Sequence, residues 1–133
     1  MNNVYFQVEC HPYFNQQKLI EFCQNNSIAV TAYSPLGQGA DIKDATIKSI
    51  ADKYNKTAAE VILRYHIERN VIAIPSSLNY SRIEENFRVL DFSLAQDHVK
   101  KINGLNTGKR LIDPVEWMPG AKNHKYYPFN EPY

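Results

Sequence analysis

The sequence predicts an α/β fold in which helices cover a parallel β-sheet. Segments with strand character alternate with segments of helical apolar spacing, in the order strand, helix, strand, helix, helix, strand, helix, helix. The strand-like segments are short and largely apolar, as in strands that are buried on both faces. Such alternation favours parallel strands joined by helical crossovers. The composition, with 44% hydrophobic and 22% charged residues, is ordinary for a soluble globular protein.

The first third of the chain predicts two strands and one helix. Residues 4–9 have the β-branched and aromatic composition of a strand. Asn15 is placed to cap a short helix, because its side-chain oxygen can accept a hydrogen bond from a free N–H of the first turn. The predicted inner face of this helix consists of residues at i, i+3 and i+4 spacing, namely Leu19, Phe22 and Cys23. A second strand is predicted over residues 28–33, followed by a glycine- and proline-containing loop over residues 34–41.

The middle of the chain predicts two consecutive helices. The first has apolar residues at 3.6-residue spacing, namely Ile47, Ile50, Ala51 and Tyr54. The second begins at a capping box, in which the Thr57 hydroxyl and the Glu60 carboxylate can each satisfy a free helix N–H. We expect this second helix to run to about Glu68.

The last third predicts one strand and two helices. Residues 71–75 form a short apolar strand. The next helix is capped by Asn79 or Ser81. Ser93-Leu94-Ala95-Gln96 has the pattern of a second capping box, which predicts a helix that ends at about Leu105.

The chain ends in a segment without helical or strand periodicity. From Asn106 onward, aromatic residues are interspersed with four prolines, which are Pro114, Pro119, Pro128 and Pro132. This composition predicts an extended tail that can fold over another part of the protein.

Charge and composition exclude several classes of protein. The formal net charge is +1 and the pI is about 7.8, so the chain has no basic field for nucleic acid. An apolar run long enough to predict a membrane span is absent, and two cysteines suit a reducing cytoplasm. The cysteines and histidines are not at metal-ligand spacing, and His11 is expected to be structural. We expect a cytoplasmic protein with no nucleic-acid, membrane or metal partner.

Three blocks of the sequence resemble motifs of the aldo-keto reductase family. The first, Gln7-Val8-Glu9-Cys10-His11-Pro12-Tyr13, is similar to the family's sixth-strand motif. The second, Thr31-Ala32-Tyr33-Ser34-Pro35-Leu36-Gly37, resembles its seventh strand and following loop. The third, Ile74-Pro75-Ser76-Ser77 with Arg82-Ile83 and Glu85-Asn86-Phe87, is similar to its eighth strand and cofactor clamp. The three blocks occur in the family's order.

The resemblance implies a (β/α)₈ barrel that binds NADP(H) and reduces aldehydes or ketones to alcohols. In this interpretation the chain is the C-terminal portion of the barrel, with residues 1–106 in the barrel and residues 107–133 as a C-terminal tail. A complete barrel of this type typically needs about 250 residues, whereas the chain has 133. We therefore expect a fragment of an NADP(H)-dependent oxidoreductase.

The resemblance assigns the nicotinamide and pyrophosphate contacts to the first two blocks. Gln7 would bind the nicotinamide carboxamide, because its amide both donates and accepts hydrogen bonds. Tyr33, at the carboxyl end of its strand, would stack against the nicotinamide ring. Ser34 and Leu36 would contact the pyrophosphate, Leu36 through its backbone, in a loop whose glycines permit close approach. Gln38 would add a contact at a position where the family often has serine.

The third block would bind the adenosine end of the cofactor. Arg82 would receive the ribose 2′-phosphate, since a guanidinium near a helix N-terminus combines fork geometry with a favourable dipole. Ser77 and Asn79 would add neutral hydrogen bonds, and Glu85 and Asn86 match family positions that contact the adenine.

One departure from the family bears on the choice of cofactor. The family commonly has a lysine at the position of Ser76, where it binds the 2′-phosphate as a point charge. Loss of that charge-assisted contact removes roughly 1.5–3 kcal/mol. We therefore expect a weaker preference for NADP(H) than is usual, with Arg82 providing most of the discrimination.

The resemblance places the catalytic residues outside this sequence. Carbonyl reduction needs a positioned proton donor, which in the family is a tyrosine supported by a lysine, an aspartate and a histidine upstream of Gln7. No residue of this chain matches those positions, so we name no catalytic residue and expect the isolated chain to be inactive. The tail would line a substrate pocket through its apolar side chains, Trp117, Met118, Tyr126, Tyr127 and Phe129.

Two alternatives to a reductase fragment remain open at this stage. The chain can belong to a non-catalytic cofactor-binding or regulatory protein of the same fold, which in this family also serves as an auxiliary subunit of ion channels. It can also be a truncated product without a stable fold. The sequence blocks look more like those of the small monomeric reductases, which favours a monomeric parent with a small carbonyl substrate of unknown identity.

Overall fold

The computed structural model describes residues 4–130, which contain a three-stranded parallel sheet and five α-helices. The strands lie side by side in chain order and are β1 (Tyr5–Glu9), β2 (Ala29–Tyr33) and β3 (Val71–Ala73). The helices are α1 (Gln17–Asn25), α2 (Ala45–Tyr54), α3 (Ala58–Glu68), α4 (Tyr80–Phe87) and α5 (Gln96–Asn103). The predicted α/β class with a parallel sheet is confirmed. None of the helices in the described part of the chain is long and apolar enough to cross a membrane.

The two faces of the sheet have different environments. Gln7 pairs with Thr31, and Thr31 pairs with Ile72, so these three side chains lie on one face. Gln7 and Ile72 are exposed there. The opposite face packs on α1 through buried side chains, which are Cys10, Val30, Ala32 and Val71 from the sheet side and Ile20 and Cys23 from the helix.

The larger hydrophobic core lies between helices rather than on the sheet. Helices α2, α3 and α5 contribute its fully buried side chains, among them Ile47, Ile62, Tyr65 and Ile102. Their burial holds α3 against β3 and places the start of α3 beside the loop that follows β2. This packing positions the cavity described below.

Two capping signals correctly identified where α3 and α4 begin. At α3, the Thr57 N–H donates to Glu60 Oε2 at 2.8 Å, and the Glu60 N–H donates to Thr57 Oγ1 at 3.1 Å, so the capping box is confirmed. Asn79 caps α4 by accepting from the Ser81 and Arg82 N–H groups.

The first helix differs from its prediction in its inner face and in its N-cap. Phe22 is 62% exposed instead of facing the core, because Ile20 occupies the inner face of α1. Gln16 precedes that helix, although the Asn15 side chain still accepts from the Gln17 N–H at 3.2 Å.

The second capping box does not form. Helix α5 begins at Gln96, two residues after the start that an N-cap at Ser93 would give, and it ends at Asn103, two residues before the predicted end. The reason is tertiary: the Leu94 N–H donates to Glu68 on α3, and the Ala95 N–H donates to Tyr54 on α2. These bonds hold the segment before α5 in a non-helical conformation.

The third strand and the tail also differ from expectation. Strand β3 ends at Ala73 rather than at residue 75, and Pro75 has no N–H to donate to a ladder. The tail is a series of 3₁₀ turns, namely Pro114–Glu116, Ala121–Asn123 and Pro128–Asn130, instead of an extended segment. Residues 1–3 of the predicted barrel part and residues 131–133 of the predicted tail lie outside the described residues. Pro132, one of the four prolines predicted for the tail, is among them.

The cap of α2 gives a first testable prediction. Asp44 Oδ1 accepts from the Thr46 and Ile47 N–H groups at 2.7 and 3.1 Å, and Tyr13 Oη donates to Asp44 Oδ2 at 2.7 Å. We predict that Asp44→Ala lowers the free energy of unfolding by about 1–2 kcal/mol, because helix N–H groups lose their acceptor. Urea unfolding measures this difference. The exposed Lys48→Ala on the same helix is the control, and an equal loss in both variants would contradict the capping role.

Candidate functional site

A cavity of about 570 Å³ opens at the carboxyl ends of β2 and β3. Its walls come from the loop after β2, the first turn of α3, the segment after β3, and α4. Seven of the ten residues predicted to bind the cofactor line it, and these are Ser34, Leu36, Gln38, Ser77, Arg82, Glu85 and Asn86. In open parallel sheets, ligands bind at the carboxyl ends of the strands, so the location is typical of a functional site.

The other three predicted residues lie outside the cavity lining. Tyr33 is the last residue of β2 and immediately precedes Ser34. Gln7 lies on β1, and because Gln7 pairs with Thr31 and Glu9 pairs with Tyr33, Gln7 and Tyr33 are on the same face of the sheet. The Asn79 side-chain oxygen is engaged in capping α4. The binding roles of these three residues stay predictions.

The loop after β2 is tightly wound, and one glycine is required for its path. Ser34, Gly37, Gln38 and Gly39 all have positive φ angles. The Gly37 N–H donates to the Ser34 carbonyl, and the Gly39 N–H donates to the Leu36 carbonyl, both at 3.0 Å. A Cβ atom on Gly37 would lie 1.9 Å from Asp41 Oδ1, so no other residue fits there without displacing Asp41.

A buried neutral histidine on α3 supports this loop through a hydrogen bond. His66 on α3 is fully buried, and its Nε2 donates to the Pro35 carbonyl at 3.2 Å. The pKa of His66 is lowered to about 3, mainly by burial; the hydrogen bond to Pro35 opposes this shift and the charge of Arg69 adds to it. His66 is therefore neutral near pH 7, with its proton on Nε2. Within residues 4–130, His66 Nδ1 has no hydrogen-bond partner.

The cationic side of the cavity lies at the start of α4. Arg82 is exposed and is, within the described residues, the only basic side chain in the lining. Glu85 on the next turn accepts a hydrogen bond from Thr57 Oγ1 and so ties α4 to the N-cap of α3. An exposed guanidinium beside a wall of hydroxyl, amide and backbone groups can bind a phosphate without first breaking a salt bridge.

Sequence reasoning missed the contribution of α3 to the cavity. Thr57, Ala58 and Ala59 line it alongside Ile42. The capping box marked where α3 begins, but only the packing of α3 on α2 and β3 decides what its first turn faces. A local sequence pattern holds no signal of that kind.

Comparison with known families gives a clear match. The model of the family described as "Aldo/keto reductase family" matches residues 1–107. Aldo-keto reductase family 1 member D1 of Oryctolagus cuniculus is 43% identical over 138 residues, which cover 96% of this chain and 41% of that protein. The 9,11-endoperoxide prostaglandin H2 reductase of Trypanosoma cruzi is 43% identical over 120 residues, covering 87% of this chain and 42% of that protein.

Solved structures show the same relationship. A mutant of Gox0644 in complex with NADPH matches with a TM-score of 0.79 and 36% identity, over 84% of this chain and 42% of that one. Gox0644 in its apo form matches with a TM-score of 0.78. These similarities confirm the predicted barrel-derived fold. The chain spans less than half the length of the relatives that it matches.

The buried His66 predicts a pH dependence of stability. The folded protein keeps His66 neutral down to about pH 3, whereas an unfolded histidine binds a proton near its ordinary pKa of 6.5. The unfolded state thus binds more protons, and the free energy of unfolding falls by about 1.4 kcal/mol per pH unit as pH drops below about 6. We predict that His66→Gln removes this slope between pH 6 and 5 in urea unfolding. The exposed His124→Gln should retain it, and an unchanged slope in His66→Gln would refute the assignment.

Proposed function

The chain belongs to the aldo/keto reductase family, and from this premise we propose that it forms the NADP(H)-binding part of an enzyme that reduces aldehydes or ketones. The observation that carries the proposal is the convergence of the loop after β2 and of Arg82 on one cavity. The two elements are 48 positions apart in the sequence from Ser34 to Arg82, yet they face the same space. The NADPH complex of the similar Gox0644 mutant supports the same cofactor.

In this proposal the cavity binds the phosphate-bearing part of the dinucleotide. The Ser34 hydroxyl and the Leu36 backbone contact the pyrophosphate, with Gln38 beside them. Arg82 binds the 2′-phosphate, and Ser77 and Asn79 add neutral hydrogen bonds. A positive φ at Ser34 and at the glycines curls the backbone of the loop, a conformation that suits N–H groups to anions.

The nicotinamide end would lie over the exposed face of the sheet. Tyr33 at the carboxyl end of β2 offers a flat ring for stacking, and Gln7 on the same face offers an amide for the carboxamide. Bound NADPH supplies the hydride for carbonyl reduction. The residues of this chain would orient the ring and leave the transferred proton to another group.

Glu85 and Asn86 would complete the adenine side of the site. Both line the cavity and are partly buried, one turn after Arg82 on α4. Because Glu85 is also bonded to Thr57, the adenine would be held between α4 and the first turn of α3.

The proton donor of the reaction would come from outside this sequence. We propose that the catalytic acid and its supporting residues belong to the remaining part of the barrel, and that the isolated chain is inactive. The chain's coverage of 41–44% of its relatives supports this division. The tail from residue 107 would line the carbonyl-substrate pocket, and its exposed Trp117, Met118 and Tyr126 offer apolar surface for that purpose.

Cofactor preference tests the proposed phosphate site. We predict that Arg82→Ala weakens NADPH binding by roughly 10- to 150-fold, because one charge-assisted contact is lost, and leaves NADH binding nearly unchanged. The dissociation constants of both cofactors for the protein at its native length measure this ratio. Arg88→Ala, at the other end of α4, removes an exposed arginine outside the cavity lining and serves as the matched control.

A second variant, expected to bind NADPH more tightly, complements Arg82→Ala. Ser76 lines the cavity and is exposed, so Ser76→Lys places a cation there without disturbing the core. NADPH should bind more tightly to this variant, and NADH should not. An NADPH-to-NADH ratio that neither Arg82→Ala nor Ser76→Lys changes would overturn the proposed orientation of the cofactor.

A further inference from the structure

A fully buried histidine is held between two carboxylates beneath the candidate site. His11 Nδ1 lies 3.1 Å from Asp41 Oδ2, and His11 Nε2 lies 3.1 Å from Glu9 Oε1. All three side chains are inaccessible to solvent. None of the three lines the cavity in the described part of the chain, so any effect on ligand binding must act through other residues.

We propose that His11 is a positioning residue that couples the loop after β2 to the start of the tail, through Asp41 on one side and Glu9 on the other. The functional consequence rests on the proposed function, because it requires that the loop binds the pyrophosphate. The coupling itself concerns only hydrogen bonds within the chain and can be tested without a ligand.

Each ring nitrogen of His11 lies at hydrogen-bond distance from a carboxylate oxygen, so the ring links the two acidic side chains. An ionised carboxylate only accepts hydrogen bonds, and a neutral imidazole donates from only one nitrogen. Two buried carboxylates without a cation between them would also be strongly destabilising. An imidazolium would donate from both nitrogens and offset one of the two negative charges. Arg69, a buried basic side chain near this region, bonds instead to Tyr65, Asn15 and Gln17.

On the tail side, Glu9 acts as the acceptor for a distant backbone. The Leu111 N–H donates to Glu9 Oε1 at 2.6 Å, and the Ile112 N–H donates to Glu9 Oε2 at 3.0 Å. These bonds join the end of β1 to residues about a hundred positions later in the chain. The His11 contact fixes the Glu9 carboxylate in the orientation that both N–H groups need.

On the loop side, Asp41 is pressed against Gly37. Asp41 Oδ1 has no hydrogen-bond partner within residues 4–130. The carboxylate is therefore held through Oδ2 alone, by His11 at 3.1 Å and by the Tyr13 N–H at 3.4 Å. A Cβ atom on Gly37 would lie 1.9 Å from Asp41 Oδ1, so the carboxylate lies directly beside the backbone of the loop that lines the cavity, and in this proposal the two move together.

Hydrogen exchange of backbone amides tests whether a change on one side of His11 affects the other side. Glu9→Gln alters the tail side and Asp41→Asn alters the loop side, and both keep the shape of the side chain. We expect Glu9→Gln to speed hydrogen exchange about tenfold at the Gly37 and Gly39 amides, and Asp41→Asn to do the same at the Leu111 and Ile112 amides. Ile102→Val in the helical core is the control for general destabilisation, with no selective effect at either place.

Two further measurements distinguish a failure of the coupling from a failure of the proposed function. In the unmodified protein, proton–nitrogen NMR should detect a slowly exchanging ring N–H on His11, because both ring nitrogens are buried and hydrogen-bonded, and this result needs no variant to fold. Both variants should also weaken NADPH and NADH binding by the same factor, about tenfold, because the two cofactors share the pyrophosphate. Exchange that increases only on the altered side, or a His11 ring N–H that exchanges as fast as that of an exposed histidine, would overturn the coupling. Coupled exchange without any dinucleotide binding would support the coupling through His11 and refute only the proposed function.

Discussion

The contact between Gly37 and the buried Asp41 carboxylate is the constraint on which the candidate site depends. A residue larger than glycine would displace Asp41, and the contact lies in the loop where the chain leaves β2 for α2. The same loop is supported by His66 through the Pro35 carbonyl. The cavity wall thus depends on these buried polar contacts in addition to the apolar packing of α2, α3 and α5.

Two buried histidines make different contacts close to this loop. His66 faces a carbonyl and lies in an environment that disfavours charge, so it acts as a neutral donor. His11 lies between two carboxylates and links them. The residue type alone does not distinguish the two, because the partners come from segments that are far apart in sequence. Arg82, by contrast, remains at the surface, where a cation is available for an anionic ligand.

Much of the fold and part of the site could be predicted from sequence, for physical reasons. The parallel α/β class, the capping box at Thr57 and Glu60, and the Asn79 cap depend on local periodicity or on residues three positions apart. Seven cavity residues were found because they lie in family-like blocks. Failures occurred where long-range contacts decide: Glu68 and Tyr54 delay the start of α5, and Asp41 reaches His11 across thirty positions. No sequence pattern predicts either of these two contacts.

A crystal structure of the protein at its native length with bound NADP⁺ would test the central claim most directly. The account predicts the pyrophosphate against the loop of residues 34–39, the 2′-phosphate at Arg82, and the nicotinamide beside Tyr33 and Gln7. The Gly37–Asp41 contact should be unchanged by binding, since the loop is already held from below. A dinucleotide bound elsewhere, or with its adenosine end on Tyr33, would contradict the account.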